Sequence, residues 1–420
     1  MVQRLKRRRL DTFPTDRNDP ATDPCRPATE QEKGSWNGFC ELESEPALFN
    51  AMLREFGVKG VKVQEVISLE EEMMAFLNKP VYGLIFLFRW REDDPEKQEA
   101  SCPEELWFAN QTVSNSCASV ALLNIVNNID GIQLGENLQR FKDFTMPFTP
   151  ALRGDAISNF EFIKRIHNSF ARKMDMLNSD LQLRHEATSR RSRSTKNIKD
   201  EREVDAGFHF IAFVPALGKV WKFDGLERQP QALGLCRVGE DWLERVKPDL
   251  ITRMSEYEED QIEFSILGLV RDPLCDLVGK LAANVKSLEV LNQHVVAQEL
   301  GGARTELRLT DSIFESTILG PEGSYGLTRE QIDRAITPPG LEGQHKRVSM
   351  QELSEQQQKL SNEQLELRAA IRDEQQSQWA DDDYAARRRY DYGPAVRMWV
   401  KLLARKRIIE SLLLPMDASA

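Results

Sequence analysis

The stretch that decides the fold is "FHFIAFVPALGKVWKFDGL", residues 208–226. It holds two segments rich in apolar and β-branched residues, 208–215 and 219–225, with a short Ala-Leu-Gly connection between them. Two such segments joined by a few residues that include glycine predict a β-hairpin. Because both segments are apolar over most of their length, we expect them to lie in the interior of a sheet.

Working outward, the same patterns predict further strands and helices. Val81–Phe88 and Phe264–Val270 are near-continuous apolar runs of strand length, which predicts two buried strands. Valines alternate within 61–66, which predicts a shorter strand. Apolar residues at helical spacing predict amphipathic helices over 44–57 and 158–173.

These elements predict an α/β (α+β) domain over residues 35–275. Residues 1–34 are rich in Pro, Asp, Thr and Arg and poor in large apolar residues, so we expect a disordered basic segment there. A basic stretch with Ser and Thr from Arg184 to Arg202 predicts a mobile loop inside the domain. Good helix formers predict a helical linker over 276–380, and a helical module is expected over 381–415.

Composition excludes several classes of protein. The 420 residues include 56 Lys and Arg against 67 Asp and Glu, so a net charge of −11 argues against a general nucleic-acid binder. Six cysteines without a CxxC pair argue against a zinc cluster or a disulfide framework. The apolar runs are too short to cross a membrane, and no signal peptide opens the chain, so we expect an intracellular protein. The cluster "LKRRRL" at 5–10 is either a nuclear address or a solvated tail.

Cys117 is the cysteine whose surroundings indicate chemistry. It lies in "NQTVSNSCASVALLNIVNN", residues 110–128, after a polar run and directly before an apolar one. Ser114 and Asn115 are suitable helix caps, so we expect Cys117 in the first turn of a helix. A helix N-terminus favours the thiolate, which is the reactive form of cysteine. The alternative is a buried structural cysteine.

A cysteine nucleophile also requires a rigidly held base. Of the five histidines, His209 begins the first strand of the predicted hairpin, which is a rigid position. His167 lies on a predicted helix, and the alternative for it is a core or surface histidine without a catalytic role. A structural strand histidine is the alternative for His209.

Two further residues complete a hydrolase constellation. Asp224 ends the second strand, so pairing of the hairpin brings it near His209, where it can accept the Nδ1–H and orient the ring. Gln111 precedes Cys117 by six residues, and its amide can donate to an oxyanion together with the Cys117 N–H. The alternatives are a turn residue for Asp224 and a surface side chain for Gln111.

Taken together, these motifs resemble the ubiquitin carboxyl-terminal hydrolases, which are papain-like cysteine proteases. The resemblance covers about 35–275. It rests on the motif around Cys117, on the hairpin, and on three further stretches: "WNGFCELESEP", "YGLIFLFRW" and "SNFEFIKRIHNSFARK".

The resemblance implies a knotted α/β domain with a mostly antiparallel central sheet flanked by helices. It implies that Cys117 is the nucleophile, His209 the general base, Asp224 the orienting carboxylate and Gln111 the oxyanion donor. The implied reaction is hydrolysis of the bond after the C-terminal glycine of ubiquitin, without metal or cofactor. Residues of about 172–206 correspond to the crossover loop that the family threads over its active site.

The tail resembles the longer members of the family, whose helical extension docks an adaptor protein. Val396, Trp399, Val400 and Leu403 follow one another at helical spacing in a basic segment. The adaptor implied is a proteasomal ubiquitin receptor or a chromatin subunit, and the basic face is suited to contact with DNA or a nucleosome. An apolar stripe that packs on the catalytic domain is the alternative.

Two other functions are weighed against the deubiquitinase. One is a catalytically weak ubiquitin-binding scaffold, and the other is a hydrolase of another ubiquitin-like modifier. The partners expected are ubiquitin, ubiquitinated proteins and an adaptor, and the expected location is the nucleus and cytoplasm.

Overall fold

The structure, a computed structural model, describes residues 26–90, 93–193, 207–237, 239–255, 264–300, 317–336, 350–406 and 408, with the side chains of 185–193 and 294–300 left aside. The predicted "LKRRRL" address and residues 194–206 of the predicted crossover loop lie outside this part of the chain. Within it, no helix is both long enough and apolar enough to cross a membrane.

Six strands form one sheet. They are β1 (Val61–Glu65), β2 (Val81–Arg89), β3 (Phe208–Ala216), β4 (Lys219–Phe223), β5 (Gln231–Leu235) and β6 (Phe264–Arg271). Their order across the sheet is β1-β6-β2-β3-β4-β5, and every neighbouring pair is antiparallel.

Helices surround the sheet and continue beyond it. Those that come before the last strand are α1 (Glu30–Ser35), α2 (Pro46–Phe56), α3 (Glu71–Met74), α4 (Cys117–Val126), α5 (Glu136–Thr145), α6 (Pro150–Asn159), α7 (Glu161–Asn168), α8 (Lys173–Arg193) and α9 (Leu243–Met254). Those that follow are α10 (Pro273–Leu300), α11 (Arg329–Arg334), α12 (Met350–Arg389) and α13 (Gly393–Arg405).

The predicted hairpin is confirmed, since β3 and β4 pair from Ala212↔Phe223 to Ala216↔Lys219. Leu217 and Gly218 make the turn with positive φ values of 52° and 71°. On its other side β3 pairs with β2, so His209 lies opposite Phe88 near the centre of the sheet. The antiparallel sheet flanked by helices confirms the predicted α/β (α+β) class.

Two apolar cores cover the two faces of the sheet. On one face α2 and α4 pack against β3 and β4 through buried side chains such as Phe49, Leu122 and Trp221. On the other face α3 and α9 pack against the sheet through residues such as Phe86, Phe213 and Val246. Burial on both faces explains why the central strands are nearly all apolar rather than alternating.

Some predicted helices differ in extent. The helix expected over 44–57 is α2, which ends at Gly57 in the left-handed conformation (φ 87°). The single helix expected over 158–173 is wrong, because the chain is extended at Phe160 (ψ 99°) between α6 and α7, and α8 begins anew at Lys173.

Two segments expected to be irregular contain helix. Residues 30–35, placed mostly in the disordered start, form α1, which begins with a capping box of Thr29 and Glu32. The mobile loop predicted from Arg184 is also wrong at its beginning, because α8 extends to Arg193. Arg is a good helix former, and this physical preference outweighed the polar composition used for the prediction.

The helices after the sheet have a core of their own. α10, α11 and α12 bury a separate apolar cluster that includes Leu281, Tyr325, Ile332 and Ile371. Gln364 Nε2 of α12 donates to the carbonyl oxygen of Ile318 at 3.0 Å. The segment predicted as a linker is therefore packed, and the boundary expected between 380 and 381 falls inside the continuous helix α12.

Candidate active site

Cys117 is the first residue of α4 and is half-buried. The N-cap is Ser116, whose hydroxyl donates to the carbonyl of Val113 at 2.7 Å instead of capping the helix. Ser114 and Asn115, predicted as caps, are not caps; Asn115 takes a positive φ of 63° and turns the chain into the helix. The first N–H groups of α4 are thus uncapped by a side chain, so the partial positive charge of the helix N-terminus lies at the turn that begins with Cys117.

His209 and Asp224 form a buried hydrogen-bonded pair. His209 Nε2 lies 2.7 Å from Asp224 Oδ1, and the two residues are 4% and 3% exposed. The same oxygen accepts the backbone N–H of Leu226 at 2.9 Å, which fixes the carboxylate. The expectation that Asp224 bonds Nδ1 is wrong: it bonds Nε2, and Nδ1 is the ring nitrogen left for Cys117.

The imidazole is held in its charged form. Burial by itself lowers the pKa of His209, but hydrogen bonds with Asp224 and with Cys117 outweigh it and raise that pKa from 6.5 to about 9. Burial likewise raises the pKa of Asp224, yet the hydrogen bond with His209 produces a net lowering. A protonated imidazole beside a cysteine is the electrostatic environment that favours a thiolate.

Gln111 lies on the same cleft. Its backbone N–H donates to the carbonyl of Gly225 at 2.7 Å, and its Nε2 donates to the carbonyl of Val113 at 3.1 Å. A Cβ at residue 225 would lie 3.1 Å from the Cβ of Gln111, so glycine permits the turn after Asp224 to pack against this segment. Gln111 Oε1 is buried without a hydrogen-bond partner in the described part of the chain.

A cleft of about 800 Å³ joins these residues. Cys117, His209 and Gln111 line it together with Trp90. The segment 41–44 also lines it, and α8 contributes Asp175, Asn178, Ser179 and Gln182. The structure thus brings Cys117, His209 and Asp224 together and places Gln111 beside them.

Sequence similarity to known proteins agrees with this geometry. A family model described as "Ubiquitin carboxyl-terminal hydrolase, family 1" matches residues 39–255, just over half of the chain. The chain belongs to ubiquitin carboxyl-terminal hydrolase family 1.

Relatives of this hydrolase family carry the same name. Ubiquitin carboxyl-terminal hydrolase isozyme L5 of Dictyostelium discoideum is 36% identical over 58% of this chain, and ubh-4 of Caenorhabditis elegans is 36% identical over 57%. BAP1 of Xenopus tropicalis is 31% identical over 72% of this chain. The matches span 65%, 68% and 46% of those relatives' own lengths. A crystal structure of Trichinella spiralis UCH37 bound to ubiquitin vinyl methyl ester is 28% identical, with a TM-score of 0.45, and covers 58% of this chain and 86% of that one.

A second cysteine–histidine pair in this chain is structural. His167 Nδ1 lies 2.8 Å from the Ser119 hydroxyl and Nε2 lies 2.7 Å from the carbonyl of Cys40, so both ring nitrogens are occupied. Burial lowers the pKa of His167 to about 4 and raises the pKa of the Cys40 thiol to about 12. A neutral ring and a neutral thiol cannot form the charged pair that a nucleophile requires.

Two features of the site escaped sequence reasoning. One is α8, predicted in part as a loop, which lines the cleft. The other is Arg388 of α12, which lines the same cleft from 271 residues beyond Cys117. The sequence around a buried arginine does not indicate which residues its side chain will contact. Among the described residues, no group of three or more His, Cys, Asp or Glu is arranged to hold a metal ion.

Proposed function

We propose that this chain is a thiol-dependent deubiquitinase that hydrolyses the bond after the C-terminal glycine of ubiquitin. The observation that carries the proposal is the buried His209–Asp224 pair in the same cleft as Cys117, which begins α4. Membership of the hydrolase family and the names of its relatives support ubiquitin as the substrate.

In the proposed reaction, the Cys117 thiolate attacks the carbonyl carbon of the last ubiquitin residue. His209, protonated before the substrate arrives, donates a proton to the leaving amine as the C–N bond breaks. Water then attacks the thioester, His209 takes a proton from it, and the Cys117 thiolate is released with ubiquitin's free carboxylate. Asp224 holds the charge and the orientation of the ring throughout.

Gln111 is proposed as the oxyanion donor together with the Cys117 backbone N–H. A side-chain amide has two N–H donors, and Val113 takes one of them, so the second can serve the oxyanion. The bond from the Gln111 backbone to Gly225 keeps this amide next to the turn that carries Asp224.

The test is hydrolysis of a ubiquitin–fluorophore conjugate by the full chain. Wild type is expected to release the fluorophore, and Cys117→Ala is expected to leave only the uncatalysed rate, because no other thiol lies beside His209 among the described residues. Cys236→Ser is the matched control: that cysteine is also half-buried but lies outside the cleft, and its activity should equal that of wild type.

Equal background rates for wild type and Cys117→Ala, also with an adaptor present, would support the ubiquitin-binding scaffold instead. Faster turnover of the C-terminal probe of another ubiquitin-like modifier would reassign the substrate.

The catalytic unit proposed is 35–275, and the docking element proposed for an adaptor is α13. Its apolar side chains Val396, Trp399 and Val400 are exposed by 59%, 72% and 49%, so this face has no cover within the described chain. A proteasomal ubiquitin receptor or a chromatin subunit is the proposed occupant, and the basic residues of α13 suit a contact with DNA or a nucleosome. The proposed location is the nucleus and cytoplasm.

A further inference from the structure

The end of α12 is buried against the catalytic part of the chain. Arg388 is 9% exposed, and its Nε lies 2.8 and 3.0 Å from the two carboxylate oxygens of Glu43. One terminal nitrogen of its guanidinium donates to the carbonyl of Phe170 at 2.8 Å, and both terminal nitrogens lie 3.5 Å from Asp175 Oδ2. The guanidinium therefore joins three separate segments of the catalytic part.

Two of these partners belong to different segments that line the cleft. Glu43 lies in the segment that precedes α2, and Asp175 lies in the first turn of α8. Arg388 lines the cleft between them. The position of these two segments relative to each other is thus fixed in part by one side chain supplied from outside the catalytic unit.

Neighbouring residues of the extension hold the same end of α8. Asp391 Oδ2 accepts the backbone N–H of Lys173 at 3.2 Å, at the beginning of α8, while its Oδ1 accepts the N–H of Gly393 at the beginning of α13. Arg389 Nε donates to the hydroxyl of Ser169 at 3.0 Å. One carboxylate thereby caps two helices.

The N-terminal helix holds α8 from another side. Lys173 Nζ lies 2.8 Å from Glu32 of α1, and Trp36 Nε1 donates to Asp180 at 3.0 Å. Neither α1 nor α12 lies within residues 39–255, the part that matches the family model. The part of the cleft lined by α8 is therefore anchored by elements that the matched domain does not contain.

We propose that Arg388 is a positioning residue for substrate binding, which ties the start of α8 to the Glu43 segment and so fixes the part of the cleft that they line for the ubiquitin tail. The proposal rests on the proposed function. Charged hydrogen bonds to a buried guanidinium are strong, and their loss frees the start of α8. The cost of ordering α8 is then met when ubiquitin binds, which weakens binding and leaves the chemistry at Cys117 unchanged.

The test compares Arg388→Ala, Arg388→Lys and Arg387→Ala in the full chain. Arg387 is the matched control, because it neighbours Arg388 on α12 but pairs only at the surface with Asp383. In steady-state hydrolysis of the ubiquitin–fluorophore conjugate, Arg388→Ala should raise KM roughly tenfold with kcat within about twofold of wild type. The KM of Arg388→Lys should fall between those of wild type and Arg388→Ala, because an ammonium keeps the charge but loses the planar set of guanidinium donors. The KM of Arg387→Ala should match that of wild type.

A KM effect separates positioning from folding, because misfolded enzyme lowers the apparent kcat and does not alter KM. The affinity for ubiquitin measured on Cys117→Ala, with and without Arg388→Ala, should weaken by the same factor. Hydrogen–deuterium exchange of residues 173–184 should be faster in Arg388→Ala and unchanged in Arg387→Ala.

An unchanged KM and unchanged exchange in Arg388→Ala would overturn the inference, as would a fall in kcat alone. A wild-type chain no faster than Cys117→Ala defeats the proposed function instead, and the exchange experiment distinguishes the two failures because it requires no substrate.

Discussion

The hydrogen bond between His209 and Asp224 sets the charge of the imidazole next to Cys117. Cys40 and His167 are of the same residue types, yet their burial keeps both neutral, with pKa values of about 12 and about 4. The difference is the carboxylate: His209 has one at 2.7 Å, whereas His167 faces a hydroxyl and a carbonyl. A buried imidazole keeps its proton only where a negative charge compensates for lost water.

Replacing Asp224 with Asn should lower activity and change its pH dependence. The variant keeps a hydrogen-bond acceptor but loses the charge, so the pKa of His209 should fall back from about 9 towards its ordinary range. We expect kcat/KM at pH 8 to fall by roughly tenfold or more, and the alkaline limb of the pH profile to move to lower pH. The measurement is ubiquitin–fluorophore hydrolysis from pH 6 to 10.

Asp130→Asn is the control, because Asp130 is an exposed turn residue, and its profile should overlie that of wild type. An alkaline limb that stays at wild-type pH in Asp224→Asn would show that the carboxylate does not set the charge of the ring.

The same pair links stability to pH. Because the pKa of His209 is raised on folding from 6.5 to about 9, the protonated ring stabilises the folded chain. This contribution is fully present below pH 6.5 and is lost as the pH rises through 9.

At the residue scale, sequence identified Cys117, His209, Asp224 and Gln111 as candidates, and the structure brings them to one cleft. Their catalytic roles stay predictions. What the sequence could not supply was the ring nitrogen that Asp224 bonds, or the cap of α4. Both depend on side-chain angles that follow from packing, not from spacing.

At the scale of elements, α6 is packed directly against the segment that carries Gln111. A Cβ on Gly154 would overlap the carbonyl oxygen of Asn110, whereas Gly279 in α10 is exposed and has no atom within 4 Å of its Cβ position. Both glycines lie inside helices, so substitution with Ala improves helix preference at both positions. Only at Gly154 does it also introduce a steric overlap.

Gly154→Ala should destabilise the chain, and Gly279→Ala should stabilise it. Overpacking against a backbone carbonyl costs about 1–3 kcal/mol, while Ala in an exposed helix interior is about 0.5–1 kcal/mol better than Gly. Denaturant unfolding of both variants measures the change in the free energy of unfolding, which should be a loss for Gly154→Ala and a gain for Gly279→Ala. Gly154→Ala should also lower kcat, because it displaces the segment before Gln111; equal stabilisation of both variants would contradict the close approach.

Elements with strong periodicity were predictable, and those decided by tertiary contacts were not. The β3–β4 hairpin and α2 carry their turn and cap residues in the sequence. The break at Phe160 carries no such signal, and at 184–193 the polar composition, which predicts a loop, conflicts with the helix preference of arginine. α1 and the end of α12, which hold the start of α8, are distant in sequence.

At the scale of the whole molecule, the extension both packs on the catalytic part and leaves one helix uncovered. Asn50 of α2 donates to Asp381 of α12 at 2.9 Å, and Lys62 of β1 lies 2.7 Å from Glu374. These contacts account for the packed portion of the tail. The apolar face of α13 stays exposed, which is why it is the face proposed to dock a partner.

Replacing Trp399 with Glu in the full chain should weaken adaptor binding without affecting basal hydrolysis. Buried tryptophans dominate many interfaces, so we expect Kd to rise at least about tenfold. Calorimetric titration with the adaptor domain of a proteasomal ubiquitin receptor, and separately with that of a chromatin subunit, shows which one binds. Trp379→Glu is the matched control, because Trp379 of α12 is 75% exposed and Trp399 is 72% exposed.

Equal Kd values for the two variants would place the docking surface elsewhere. The sequence alone predicted the amphipathic pattern of α13 but not whether it was covered, since an apolar stripe looks the same in either case.

The length of α12 has a further consequence. From Gln364, fixed to Ile318, to Arg388 in the cleft, the helix advances 24 residues, or about 36 Å. Inserting one residue between these points would turn Arg388 by about 100° and advance it by about 1.5 Å, away from Glu43 and Asp175. Substitutions on the outer surface of α12 leave the length and rotation between Gln364 and Arg388 unchanged, whereas insertion or deletion of one residue alters both. Helical phase along α12 is therefore as much a requirement of the cleft as the identity of the residue at 388.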